Sequence, residues 1–135
     1  MPSYGPPITT ELAKKVAAAA LAEARANNWT MAAAVVDPGG ILVYFEKIDD
    51  TQNASPRIAI DKARSAALFK RPTKTFQDSV EKGGIGLRVM TLRGAMPVEG
   101  GVPLIVDGKI VGGLGVSGGT AEQDGLCCKA ATDTM

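Results

Sequence analysis

Two short turn signals constrain this chain more than anything else in it. Asp107-Gly108 separates two β-rich runs, Val102–Val106 and Lys109–Val116. Asp37-Pro38-Gly39-Gly40 separates Met31–Val36 from Ile41–Glu46. An Asp-Gly pair supplies the positive φ angles that a two-residue hairpin needs, and a hairpin joins antiparallel strands. A doubly wound parallel sheet is therefore excluded, and the helices must flank an antiparallel sheet.

The helical segments have clear boundaries. Thr9 or Thr10 caps a first helix that runs to about Asn28, with Leu12, Val16, Ala19, Ala20 and Leu21 at helical spacing. Ser55 caps a second helix, with Pro56 in its first turn, and Pro72 stops it after Lys70. Its alanines 59, 63, 66 and 67 form a narrow stripe suited to lying flat on a sheet, and Lys62 and Arg64 read as its solvated face. Thr73–Val80 reads as a short helical turn, Gly86–Leu92 as a strand, and Gly94–Gly101 as an ordered loop. Thr120-Ala121-Glu122-Gln123 is a capping box that opens a last helix to about Thr132. The expected fold is α+β, one domain over residues 1–135, with about five strands.

Composition narrows the function. The 135 residues carry a formal net charge of +1 and no basic run interleaved with aromatics, which speaks against nucleic acid. No stretch approaches a membrane span and no signal-peptide layout opens the chain, so a cytoplasmic location is expected. Cys127 and Cys128 are adjacent, and neighbouring cysteines rarely bridge each other. There is no histidine. That removes the commonest general base, the commonest metal ligand and the usual proximal haem ligand.

The strongest candidate for chemistry is Gly112-Gly113-Leu114-Gly115-Val116-Ser117-Gly118-Gly119-Thr120, where a strand hands over to the last helix. Glycines at a helix N-terminus aim several N–H groups at one spot, where the helix dipole also favours an anion. Ser117, Gly118, Gly119 and Thr120 are thus expected to hold a carboxylate or phosphate, with Gly100 and Gly101 close by and Arg88 or Arg93 completing the site. Arginine suits carboxylates because its planar fork donates two parallel hydrogen bonds. Asp37, Asp107 and Asp124 are formal bases, though turns want Asp at the first two places. No catalytic residue is assigned.

Taken together, these segments resemble the GlcG/HbpS-like family, which also includes the C-terminal domain of PduO-type proteins. The likeness rests on Val36-Asp37-Pro38-Gly39-Gly40, Lys62-Ala63-Arg64-Ser65-Ala66 continuing to Phe69, and Gly100-Gly101-Val102-Pro103-Leu104. Val106-Asp107-Gly108, the run Gly112–Gly119 and Asp124 complete it. The resemblance implies a profilin-like fold with a five-stranded antiparallel sheet, homo-oligomers, and an association with haem, with corrinoid metabolism or with glycolate utilisation operons. Without a secretory leader or an adenosyltransferase domain, extracellular sensing and corrinoid chemistry do not carry over. Without histidine, neither does histidine-ligated haem; Met31, Met90, Met96, Tyr44, Cys127 and Cys128 are the formal alternatives for iron. The reading carried forward is a small-ligand-binding homo-oligomer taking haem or a related tetrapyrrole. The alternatives are a metabolic enzyme or accessory protein acting on a carboxylated metabolite, from a glycolate-type or aromatic-catabolic operon, and a structural homo-oligomeric module.

Overall fold

A computed structural model describes residues 1–135. Helix α1 (Thr10–Ala26) precedes the hairpin of β1 (Ala32–Val36) and β2 (Leu42–Lys47), and α2 (Ser55–Phe69) and α3 (Thr73–Lys82) follow. A 3-10 helix (Gly84–Thr91), the hairpin of β3 (Gly101–Val106) and β4 (Lys109–Ser117), and α4 (Ala121–Thr132) complete the chain. The sheet has four strands in the order β2-β1-β4-β3, every pair antiparallel. No helix is long and apolar enough to cross a membrane.

The expected fifth strand does not exist. Gly86–Thr91 lies in the 3-10 helix and Leu92 follows it as an extended cap residue, after Gly83 and Gly84 at φ +71° and +59° turn the chain back. A Cβ on Gly86 would strike the Ser79 carbonyl, so this segment is pressed against the end of α3 instead of reaching a strand edge. Its alternating apolar residues Ile85, Leu87 and Val89 mimic a strand, yet only Val89 is buried. Thr73–Lys82 is likewise a full helix, longer than a single turn.

Both hairpin turns form as their residues dictate. Asp107 and Gly108 sit at φ +51° and +74°, the two positive angles of the turn that matches strand twist. Asp37 Oδ1 accepts from the Gly39 and Ile41 N–H groups at 2.9 and 3.0 Å. Thr9 caps α1 through the Leu12 N–H at 3.1 Å. Ser55 does not cap α2; it is the first helical residue, buried, and its hydroxyl accepts from Gln52 Nε2 at 2.9 Å.

Helices cover both faces of the sheet. On one face, α1 and α4 bury Val16, Leu21, Cys127 and Cys128 against Ala33, Val35, Leu114 and Val116. On the other, α2 lays Ala59, Ala63 and Ala67 on Ala32, Ala34 and Val36. The approach of α2 to β4 is so close that a Cβ at Gly113 or Gly115 would meet the carbonyl of Ala63 or Ala59. Small residues on both surfaces are the condition for that contact.

Candidate functional site: a buried ion pair beneath the glycine turn

The stripe of α2 that faces the sheet contains one residue of the wrong kind. Lys62 falls between Ala59 and Ala66, three residues after the first, so helical geometry sends it inward with them. Its side chain is 1% exposed, not part of a solvated face. Its Nζ donates to Asp124 Oδ2 at 2.8 Å and to the Val116 carbonyl at 3.1 Å. Asp124, in the first turn of α4, is 4% exposed. The pair therefore crosses the end of the sheet and joins the helix layer on one face to that on the other.

The glycine turn closes over this pair. The Gly119 N–H donates to Asp124 Oδ1 at 3.0 Å. Thr120 and Gln123 form the anticipated capping box, the Thr120 N–H donating to Gln123 Oε1 and the Gln123 N–H to Thr120 Oγ1. An anion does sit at this helix N-terminus, and it is the protein's own carboxylate. Burial pushes the Asp124 carboxyl above its ordinary 3.8, opposed by the Lys62 ammonium and by the N–H groups of Gly119 and Gly118.

Gly100 and Gly101 belong to the same assembly. Gly100 holds φ +125°, and a Cβ there would lie 2.7 Å from Lys62 Nζ and from the Val116 carbonyl. Its own carbonyl accepts from the Val116 N–H at 2.8 Å and from the Cys128 thiol at 3.2 Å. The Gly101 N–H donates to Thr73 Oγ1 at 2.9 Å. Glycine at position 100 thus leaves room for the ammonium.

The two arginines do not join them. Arg88 is exposed and borders a cavity of about 280 Å³ with Arg71, Phe76, Ile85 and Leu92. Arg93, also exposed, lines a separate cleft of about 440 Å³ with Asp61, Arg64, Leu68 and Met96. Neither cavity is lined by any residue of 117–120.

Sequence reasoning missed the inward Lys62, although the signal was present as a lysine at i+3 in an alanine stripe. Of the formal iron ligands, Met31, Cys127 and Cys128 are buried, and the Cys127 thiol donates to Met31 Sδ at 3.5 Å. The Tyr44 hydroxyl donates to Glu46 Oε1 at 2.8 Å. Met90 is exposed on the 3-10 helix, and Met96 lines the cleft beside Arg93. No three His, Cys, Asp or Glu side chains group to hold a metal ion.

These features define a small α+β domain whose two helix layers are tied by a buried ion pair under a glycine turn. A family model described as "Haem degrading protein HbpS-like" matches residues 8–133, and the chain belongs to that family. Protein GlcG of Escherichia coli (strain K12) is 40% identical over 110 residues, covering 82% of this chain and 81% of GlcG. The crystal structure of a PduOC:Heme complex superposes with a TM-score of 0.85 at 27% identity, covering 96% of this chain and 95% of that one. A double mutant of Streptomyces reticuli HbpS gives 0.88 at 25% identity, over 98% of this chain and 90% of that one.

Proposed function

We propose that this protein binds haem or a related tetrapyrrole on the surface of the 3-10 helix. The observation that carries the reading is an apolar strip left open to water. Ile85 is 77% exposed and Met90 65%, and Leu87 and Leu92 beside them are also exposed. A soluble domain seldom leaves such a strip bare unless something covers it. Arg88 and Arg71 border the same ground, with the Arg71 guanidinium 5.6 Å from the Phe76 ring centroid. Apolar surface beside cationic groups fits a flat macrocycle with carboxylate arms.

The donor set fits an iron held by sulfur. Met90 is the thioether of the strip, and the chain has no imidazole to compete with it. Bound haem would bring an iron centre; the protein's part is to cover one face of the ring and to neutralise its carboxylates. The structure of a PduOC:Heme complex and the family's description support the choice of ligand.

Titration of the protein with hemin, followed by absorption, tests this. A saturable Soret shift without bis-histidine features is expected. Met90→Leu should change that spectrum, and Arg88→Gln should weaken binding by roughly ten- to a hundredfold, as for loss of one charge-assisted contact. A Soret band unchanged by the wild-type protein removes the tetrapyrrole.

A further inference from the structure

The 440 Å³ cleft between α2 and residues 93–96 stands apart from both the ion pair and the apolar strip. Two guanidiniums line it. Arg64 is fixed in place, its Nη1 donating to the Gly40 carbonyl at 2.9 Å, which leaves the rest of its fork free. Gly40 itself takes φ +82°, and a Cβ there would come within 3.6 Å of Arg64 Cγ and Cζ, so the hairpin tip backs this arginine. Arg93 makes no ion pair, and neither does Arg64, although Asp61 lines the same cleft one turn earlier on α2. The cleft thus keeps a net positive charge.

The opposite wall is ordered in advance. The Met96 N–H donates to Ser65 Oγ at 3.1 Å and the Glu99 N–H to Gln77 Oε1 at 2.7 Å. With Gly101 tied to Thr73, side chains of α2 and α3 pin the segment that carries Arg93 at three points. A site pinned before its ligand arrives loses less freedom on binding. Leu68 and Met96 supply the apolar part of the lining.

We propose that this cleft is a binding site for a small organic carboxylate, gripped between Arg64 and Arg93, with its carbon body against Leu68 and Met96. The planar forks of two arginines suit a carboxylate, and the apolar wall distinguishes an organic acid from an inorganic anion. The proposal is independent of the haem reading, since none of these residues lies on the strip around Met90.

NMR titration of the full chain with butyrate tests it, with butyramide and inorganic phosphate as comparisons. Butyrate should move the amide signals of Gly94, Ala95 and Met96 saturably, and the uncharged amide and phosphate should bind at least tenfold more weakly. Arg93→Gln and Arg64→Gln should each weaken butyrate by roughly ten- to a hundredfold. Arg93→Gln removes no contact within the fold, so it decides the matter if Arg64→Gln loosens the hairpin. Equal binding of butyrate and butyramide, equal binding of phosphate, or unchanged butyrate affinity in Arg93→Gln would overturn the proposal. Hemin titration of Arg64→Gln should match the wild type, which separates this site from the haem strip.

Discussion

Lys62 Nζ lies 2.8 Å from Asp124 Oδ2, with both side chains sealed from water and the two residues sixty-two positions apart in the chain. Each charge is tolerable only because the other is there. Removing one partner of such a pair strands a buried charge, which costs about 3–5 kcal/mol. Lys62→Met and Asp124→Leu should each lose stability on that scale in urea unfolding. The double variant should lose clearly less than the sum, because no stranded charge remains. Additive losses would mean that the two residues act separately.

The same carboxylate gives an unusual pH dependence. Its folded pKa is raised above 3.8, chiefly by burial. A raised folded pKa means that the native state holds the proton more tightly than the unfolded chain does. Its contribution to stability is then full below 3.8 and is lost as pH rises through the folded value. The stability of the wild type minus that of Asp124→Asn should therefore increase as pH is lowered through the window just above 3.8. A difference that shrinks on acidification would show that Lys62 and the glycine N–H groups outweigh burial.

The cysteines should be chemically silent. Burial pushes the Cys127 thiol up to about 12, with the negative charges of Asp124 and Glu23 adding to it, and raises the Cys128 thiol further still. Thiolate is the reactive form, so neither residue has enough of it near neutral pH. A thiol reagent such as DTNB should release no colour from the native protein and about two equivalents after denaturation. Rapid labelling of the native chain would place a cysteine at the surface.

Local chemistry that acts through the backbone was legible in the sequence. Asp107-Gly108, Asp37-Pro38-Gly39-Gly40, the Thr9 cap and the Thr120–Gln123 capping box each gave the right turn or boundary, because each is decided within a few residues. The segment 84–92 was not, since its apolar alternation suits a strand and only the turn at Gly83-Gly84 and the close approach of Gly86 to Ser79 decide otherwise. At the site, the glycine turn reads in the sequence as a place for a ligand's anion, and nothing local shows that the carboxylate of Asp124, four residues after Thr120, accepts from the Gly119 N–H. That depends on how α4 folds back under the turn and on where Lys62 arrives from the opposite face. Spacing alone placed Lys62 among its alanines; its charge argued for water.

The family resemblance implies homo-oligomers, but the alanine-rich and glycine-rich faces are covered within the fold itself. Ala59, Ala63 and Ala67 of α2 lie on the sheet, and Gly113 and Gly115 receive the α2 backbone. What stays exposed is different in kind. Ile41, 63% exposed, immediately precedes β2, the exposed Leu42 opens that outer strand with its one unpaired edge, and the exposed Leu68 lies beside Gly40. The other outer strand, β3, carries Pro103, which cannot donate to a further strand. The β2 side is therefore the surface on which a symmetric pair of copies would form, each covering the other's aliphatic side chains. Light scattering at micromolar concentration should give a mass at least twice 13.9 kDa. Ile41→Lys with Leu42→Lys should shift the protein toward the monomer while leaving its far-UV circular dichroism unchanged, because both side chains are outside the core. A wild-type protein that runs only as the 13.9 kDa monomer would show that these residues are simply solvated.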